Sequence, residues 1–179
     1  MTAHLRTPVG EGDHTAGPAT APITLVEYGD FECGHCGRAF LIVEEVRRQM
    51  GDKLRFVFRH FPLTEMHPHA LHAAESTESV NAQVGDKGFW AMHHAIYKHQ
   101  QAMDDNSLAK YATAAGADAS TTLEQLESDQ WVERVQHDFS GGVRSGVNGT
   151  PSFFINGTRF DGDWSDVDSF IEAVNSAAD

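Results

Sequence analysis

Residues 23 to 59 constrain the chain most. Ile23-Thr24-Leu25-Val26-Glu27-Tyr28 is apolar and β-favouring, and after a short turn Cys33-Gly34-His35-Cys36 opens a segment with helical spacing that runs to Met50. On that helix Ala39, Val43, Val46 and Met50 form one stripe, and the spacing pairs Glu44 with Arg48 on the solvent side. Gly51-Asp52 ends the helix, and Leu54-Arg55-Phe56-Val57-Phe58-Arg59 reads as a second strand. Strand, helix and strand at this separation make a βαβ unit, so the two strands are expected to be parallel with a right-handed crossover.

The only two cysteines sit where strand hands over to helix. Backbone N–H groups of a first helical turn lack intrahelical partners, and the summed peptide dipoles place positive charge there. A thiolate at Cys33 is favoured by both, and its pKa is expected below the free value of about 8.5. The dipole alone accounts for at most about 1.5 units, so a larger drop requires hydrogen bonds to the sulfur and help from His35. Cys36 lies one turn along, with Cys33 expected to be exposed and acidic and Cys36 buried behind it. Thiol–disulfide exchange requires that asymmetry.

Phe61-Pro62 breaks the second strand, and helical patterns follow over 67–83, 87–103, 107–115, 121–127 and 131–143. Pro68 suits a first helical position, and Ser107 and Thr121 read as N-caps. Strand character returns at Ser152–Ile155. Asn156-Gly157 signals a tight hairpin to Thr158–Phe160, and Ser165 with Asp168 caps a last helix to about Ala177. The expected organisation is an extended arm over 1–22, an α/β domain over 23–62 and 146–179, and an inserted helical block over 63–145.

Thirteen basic against 26 acidic residues give a formal charge of −13, which argues against nucleic acid and anionic membrane surfaces as partners. No apolar run reaches the roughly 18 residues of a membrane span. Residues 1–22 carry glycines and prolines but no apolar signal core, so the chain as it stands reads as cytoplasmic, or periplasmic if a signal was removed. His60, His67, His69, His72, His93 and His94 complete no zinc spacing and read as solvated or capping side chains, and Asp104-Asp105 and Asp161 to Asp168 as solvated turns and a helix N-terminus rather than a calcium loop.

With these residues laid out, the chain resembles the thioredoxin-fold disulfide oxidoreductases, and among them the DsbA-like branch. Four features carry the resemblance: Cys33-Gly34-His35-Cys36 after a strand, the helical block, Thr150-Pro151 at the start of the next strand, and Glu27 upstream of the cysteines. The tract from Val26 to Cys36 and that from Gly149 to Gly157 look like a bacterial subset of these domains, some fused to membrane transporters. Gly-His replaces the Pro-His dipeptide of periplasmic DsbA.

The resemblance implies a thioredoxin-like α/β fold (βαβ then ββα) with an inserted all-helical subdomain. It implies Cys33 as nucleophile, Cys36 as the resolving thiol, His35 as a donor to the thiolate, and Gly34, Thr150 and Pro151 at the substrate, with the Thr150–Pro151 bond cis. Glu27 reads as proton acceptor for Cys36, with a raised pKa, or as the partner of a buried base such as Arg59, and the two readings can both hold. The implied activity is thiol–disulfide exchange with protein or peptide thiols, favoured in the oxidase or isomerase direction, or reductase in a cytosol. It requires no cofactor beyond the Cys33–Cys36 disulfide, a separate redox recycling partner, and a monomer. A non-catalytic module, either redox-sensing or binding zinc through Cys33, Cys36 and two histidines, is the rival.

Overall fold

Side-chain alternation along two central strands decides where every other element packs. A computed structural model describes residues 2–177. β1 (His14–Ala16) is followed by β2 (Ile23–Gly29), α1 (Gly34–Met50), a 3₁₀ turn over Gly51–Lys53, and β3 (Leu54–His60). Five helices come next: α2 (Ala70–Val84), α3 (Asp86–Lys98), α4 (Asp105–Ala114), α5 (Ala119–Glu127) and α6 (Val132–Arg144). β4 (Ser152–Ile155), β5 (Thr158–Phe160) and α7 (Val167–Ser176) complete the order.

β2 and β3 pair in parallel, with Leu25 opposite Phe56 and Glu27 opposite Phe58. β4 lies antiparallel on β2, β5 on β4, and β1 on β3, giving the order β1-β3-β2-β4-β5. Central strands covered on both faces carry near-continuous apolar runs, which is why β2 and β3 are buried at almost every position. Alternate side chains then sort into two cores. Leu25, Phe56, Phe58, Phe153 and Ile155 pack with Cys36, Ala39, Val43 and Val46 of α1 and with Phe170 and Val174 of α7. Val26, Tyr28, Val57 and Phe154 face the other way, against Phe61 and Val147 and, partly buried, Phe139 of α6. Each fully buried Phe contributes about 1.5–3 kcal/mol of transfer free energy.

The structure corrects several expectations. Residues 14–16 form a strand where an extended arm was expected, and Leu5 and Val9 upstream pack on the second core. Asp104, Asp118 and Asp166 are the N-caps, accepting the N–H groups of Ser107, Thr121 and Ser169, in place of Ser107, Thr121 and Ser165. A carboxylate adds charge at the positive helix end, so an Asp takes each cap, three residues before Ser107 and Thr121 and one residue after Ser165. Pro68 lies in the turn ahead of α2, and α3 stops at Lys98. Glu44 pairs with Arg47 and His94, while Arg48 pairs with Glu45. His60 and His93 are buried and not solvated. His93 lies in an aromatic cluster with Phe31, Phe58 and Tyr97, where burial first and the nearby cations second push its pKa well down, keeping the ring neutral.

Candidate active site

Cys33 is the residue at the N-cap of α1, in extended conformation and with no side-chain cap. Its sulfur therefore occupies the place where a capping oxygen usually meets the first-turn N–H groups. Both cysteines are free thiols. Cys33 is only 6% exposed, where the sequence pointed to an exposed thiol. The covering group is Thr150, whose carbonyl accepts from the Cys33 thiol at 3.6 Å, and the Thr150–Pro151 peptide bond is cis.

Hydrogen bonds set the two sulfurs apart. A hydrogen bond from the Cys36 thiol, opposed by burial and reinforced by Thr150 and the backbone N–H groups of Cys36 and His35, brings Cys33 down to about 5. The Thr150 hydroxyl is buried and has no hydrogen-bond partner among the described residues. Cys36 is fully buried, and burial, then its bond to Cys33, pushes it well up. One sulfur is thus a stabilised thiolate and the other a retained thiol.

His35 reaches this sulfur through its backbone. Its side chain is exposed and its Nδ1 is engaged by the Arg38 guanidinium, so the expected imidazole donor is not at Cys33. Gly34 faces open space, and together with His35, Arg38, Leu63, Met66 and Thr150 it lines a groove of about 730 Å³ beside Cys33.

Glu27 is 2% exposed, on the sheet face that carries α1, and its Oε1 has no hydrogen-bond partner among the described residues. Burial, with the Cys33 charge second, raises its pKa to about 8. The alternative pairing with Arg59 is excluded by strand alternation. Arg59 points to the opposite face, where it donates to both carboxylate oxygens of Asp13, to Tyr28 Oη and to the carbonyls of Thr7 and Pro8.

Three residues of this site escape sequence reasoning. Asp30 is buried; its Oδ1 accepts from the Glu32 N–H, and its Oδ2 accepts from the Leu63 N–H and from His67 Nδ1. Its own N–H donates to Cys36 Sγ at 3.5 Å. His67 lines the groove with Cys33. Gln100, just beyond α3, donates to the carbonyls of Phe31 and Cys33 at 2.8 and 2.9 Å and packs so tightly over Gly37 that a side chain there would collide. The only local signal was Asp30-x-Glu32 ahead of a helix; the other contacts span long stretches of chain.

Two side-chain groups have ligand types suited to a metal, His14–His60–Glu78 and His72–Glu75–Asp129, and among the described residues neither group contains a cysteine. Two histidines do not gather with Cys33 and Cys36, as the zinc-binding rival requires. In the first group both imidazoles instead contact Glu78 Oε1, at 2.6 and 2.7 Å.

The thioredoxin family model matches residues 10–173. Among curated proteins, the chain is 40% identical over 172 residues to the Na(+)/H(+) antiporter NhaA 1 of Mycolicibacterium gilvum, covering 93% of this chain and 27% of that protein. It is 40% identical over 166 residues to the protein of that name from Salinispora arenicola, covering 92% and 24%. The chain thus spans about a quarter of the length of the curated relatives it matches. Among solved structures, oxidised BdbD from Bacillus subtilis superposes with a TM-score of 0.87 at 21% identity, covering 99% of each chain. Wolbachia pipientis α-DsbA1 gives 0.79 at 18% identity, covering 97% of this chain and 94% of that one. The family match, the dithiol at the mouth of α1 and the helical block between β3 and β4 lead to one conclusion: this chain belongs to the thioredoxin family and has the fold of its DsbA-like members.

Proposed function

We propose that the chain is a thiol–disulfide oxidoreductase that exchanges its Cys33–Cys36 disulfide with protein or peptide thiols, in the oxidase or isomerase direction. The observation that carries this reading is the opposite displacement of the two sulfurs, Cys33 down to about 5 and Cys36 well up. A substrate thiolate attacks Cys33 Sγ, the disulfide breaks, and its electron pair leaves on Cys36, which is protonated. Glu27, raised to about 8 and interacting with the Cys36 charge, suits that proton transfer. A second substrate thiolate attacks the substrate sulfur, and Cys33 leaves as a stabilised thiolate. A reduced form stabilised in this way makes the disulfide the stronger oxidant. Gly34 and Thr150 line the groove beside Cys33, and in this reading an extended peptide lies against them and the neighbouring Pro151. No other redox group is required, and the dithiol is returned to the disulfide by a separate partner.

The antiporter name of the curated relatives attaches to proteins several times longer, and among the described residues no helix is long and apolar enough to cross a membrane. Ion transport is therefore no part of this proposal.

Equilibration of the dithiol against glutathione buffers gives its potential, and oxidative refolding of a reduced protein gives its activity. Cys33→Ser is expected to abolish activity, and Cys36→Ser to accumulate mixed disulfides visible on a non-reducing gel. Full turnover by either variant would refute the assigned roles.

A further inference from the structure

His67 has no part in the two-sulfur chemistry described above, yet it lines the same groove as Cys33 and Thr150. Its placement is constrained from beneath. Nδ1 lies 2.7 Å from Asp30 Oδ2, and the Asp30 side chain is 0% exposed while His67 is 20% exposed. The carboxylate cannot swing away, because its two oxygens also accept the Glu32 and Leu63 N–H groups at 2.8 and 2.9 Å. A carboxylate so fixed dictates the tautomer, with the proton on Nδ1 and Nε2 left as the acceptor. That nitrogen makes no hydrogen bond to any described residue. A sulfur open to attack, an imidazole at the same groove and a buried carboxylate orienting it give an incoming thiol its electrophile, a base and the group that aims the base.

The exchange reaction has a use for such a base. While the Cys33–Cys36 bond is intact neither sulfur is charged, so the disulfide cannot deprotonate a substrate thiol whose free pKa is about 8.5. Resting on the oxidoreductase reading, we propose that His67, oriented by Asp30, is a catalytic residue that takes the proton of the incoming substrate thiol and holds the thiolate against Cys33. The S–H proton passes to Nε2. The substrate sulfur bonds to Cys33 Sγ, and the Cys33–Cys36 bond breaks with its electron pair on Cys36, which takes a proton from the Glu27 carboxyl. The substrate sulfur is oxidised to a mixed disulfide and the enzyme disulfide is reduced. Burial disfavours the imidazolium, but the Asp30 hydrogen bond and the charges of Asp30 and Glu32 favour it, and in the reduced protein the Cys33 charge adds to them, so that His67 stands above its ordinary value. His35 and Arg38 of α1 share the groove, and Glu65 and His69 flank His67 in sequence.

The test is the second-order rate at which a single-cysteine peptide reduces the oxidised protein, followed by acid quench and mass spectrometry between pH 5.5 and 9.5. In His67→Asn the amide still donates to Asp30, so the loop keeps its anchor and only the base is removed. The expected result is a rate roughly 10- to 100-fold lower at pH 6–7, converging on the wild type above about pH 9, where the peptide thiol ionises unaided. His67→Gln, with a longer amide, repeats the measurement independently. A pH profile equal to wild type, or lowered by one factor at every pH, overturns the inference, because an anchoring role would give one of these. A wild-type protein that fails to exchange at any pH overturns the oxidoreductase reading itself, which separates the two failures.

Discussion

Burial raises Glu27 while hydrogen bonds lower Cys33, and the two displacements act on stability with opposite sign. Cys33 titrates near 9.0 when unfolded and about 5 when folded. The stability contributed by its thiolate is therefore fully present above the unfolded value and is lost as pH falls through about 5. Alkylation of the reduced protein with iodoacetamide should label Cys33 with a midpoint near pH 5 and leave Cys36 untouched. Thr150→Val removes a hydroxyl donor and should move that midpoint upward by about one unit, the scale of a hydrogen bond to a charged group. Glu27 runs the other way: the folded carboxyl keeps its proton to about 8, while the unfolded one loses it near 4.5. Between those values the folded state binds more protons, so stability falls as pH rises. Glu27→Gln should flatten that decline in urea denaturation of the reduced protein between pH 5 and 8. An unchanged slope would place the charge elsewhere.

At the scale of elements, α6 lies on the second core through two adjacent glycines with different surroundings. A Cβ at Gly142 would sit 2.8 Å from the Phe61 ring and 3.0 Å from that of Tyr28, both buried, whereas at Gly141 the nearest atom is the Thr7 hydroxyl at 3.0 Å. Alanine gains about 1 kcal/mol of helix propensity over glycine, but overpacking against fixed rings costs about 1–3 kcal/mol. Gly142→Ala should therefore lower stability by up to about 2 kcal/mol, and Gly141→Ala should be near neutral, as measured by chemical denaturation. The sequence showed α6 as a periodic segment, and it showed β2, α1 and β3, because period and turn residues are local signals. The caps were harder to place. Ser107 and Asp104 both suit an N-cap, and the choice between them depends on where the preceding turn brings the chain.

Over the whole molecule, legibility follows sequence separation. Cys33, Cys36 and the depth of Glu27 could be read from neighbouring residues; Gln100 at Cys33, His67 on Asp30, and His14 and His60 on Glu78 could not, because each joins distant segments without a local pattern. The N-terminal segment is the largest such case. Leu5 N–H donates to the Gly157 carbonyl, Thr15 accepts from Trp90 Nε1, and residues 7, 8 and 13 surround the Arg59 guanidinium. Arg59 and Asp13 side chains are 3% and 9% exposed, and their two contacts measure 2.8 and 2.9 Å. Removing one member leaves a buried charge uncompensated, which costs about 3–5 kcal/mol, while replacing both with apolar groups costs far less. Three further acceptors remain to Arg59 when Asp13 is lost, so Asp13→Ala should fall at the lower end, about 3 kcal/mol. The double variant Asp13→Ala with Arg59→Met should lose less than the sum of the single changes, and urea denaturation of the four proteins gives the coupling. Burial raises Asp13, but the Arg59 hydrogen bonds, the Gly10 N–H and the charges of Arg59 and Arg134 together more than offset it and leave its pKa below the usual 3.8. The pair's contribution is thus present above pH 3.8 and lost as pH falls through the folded value, so the coupling measured at neutral pH should shrink in acid. Additive variants at neutral pH would mean that the N-terminal segment is held by its backbone bonds and by Leu5 and Val9, with the ion pair contributing little.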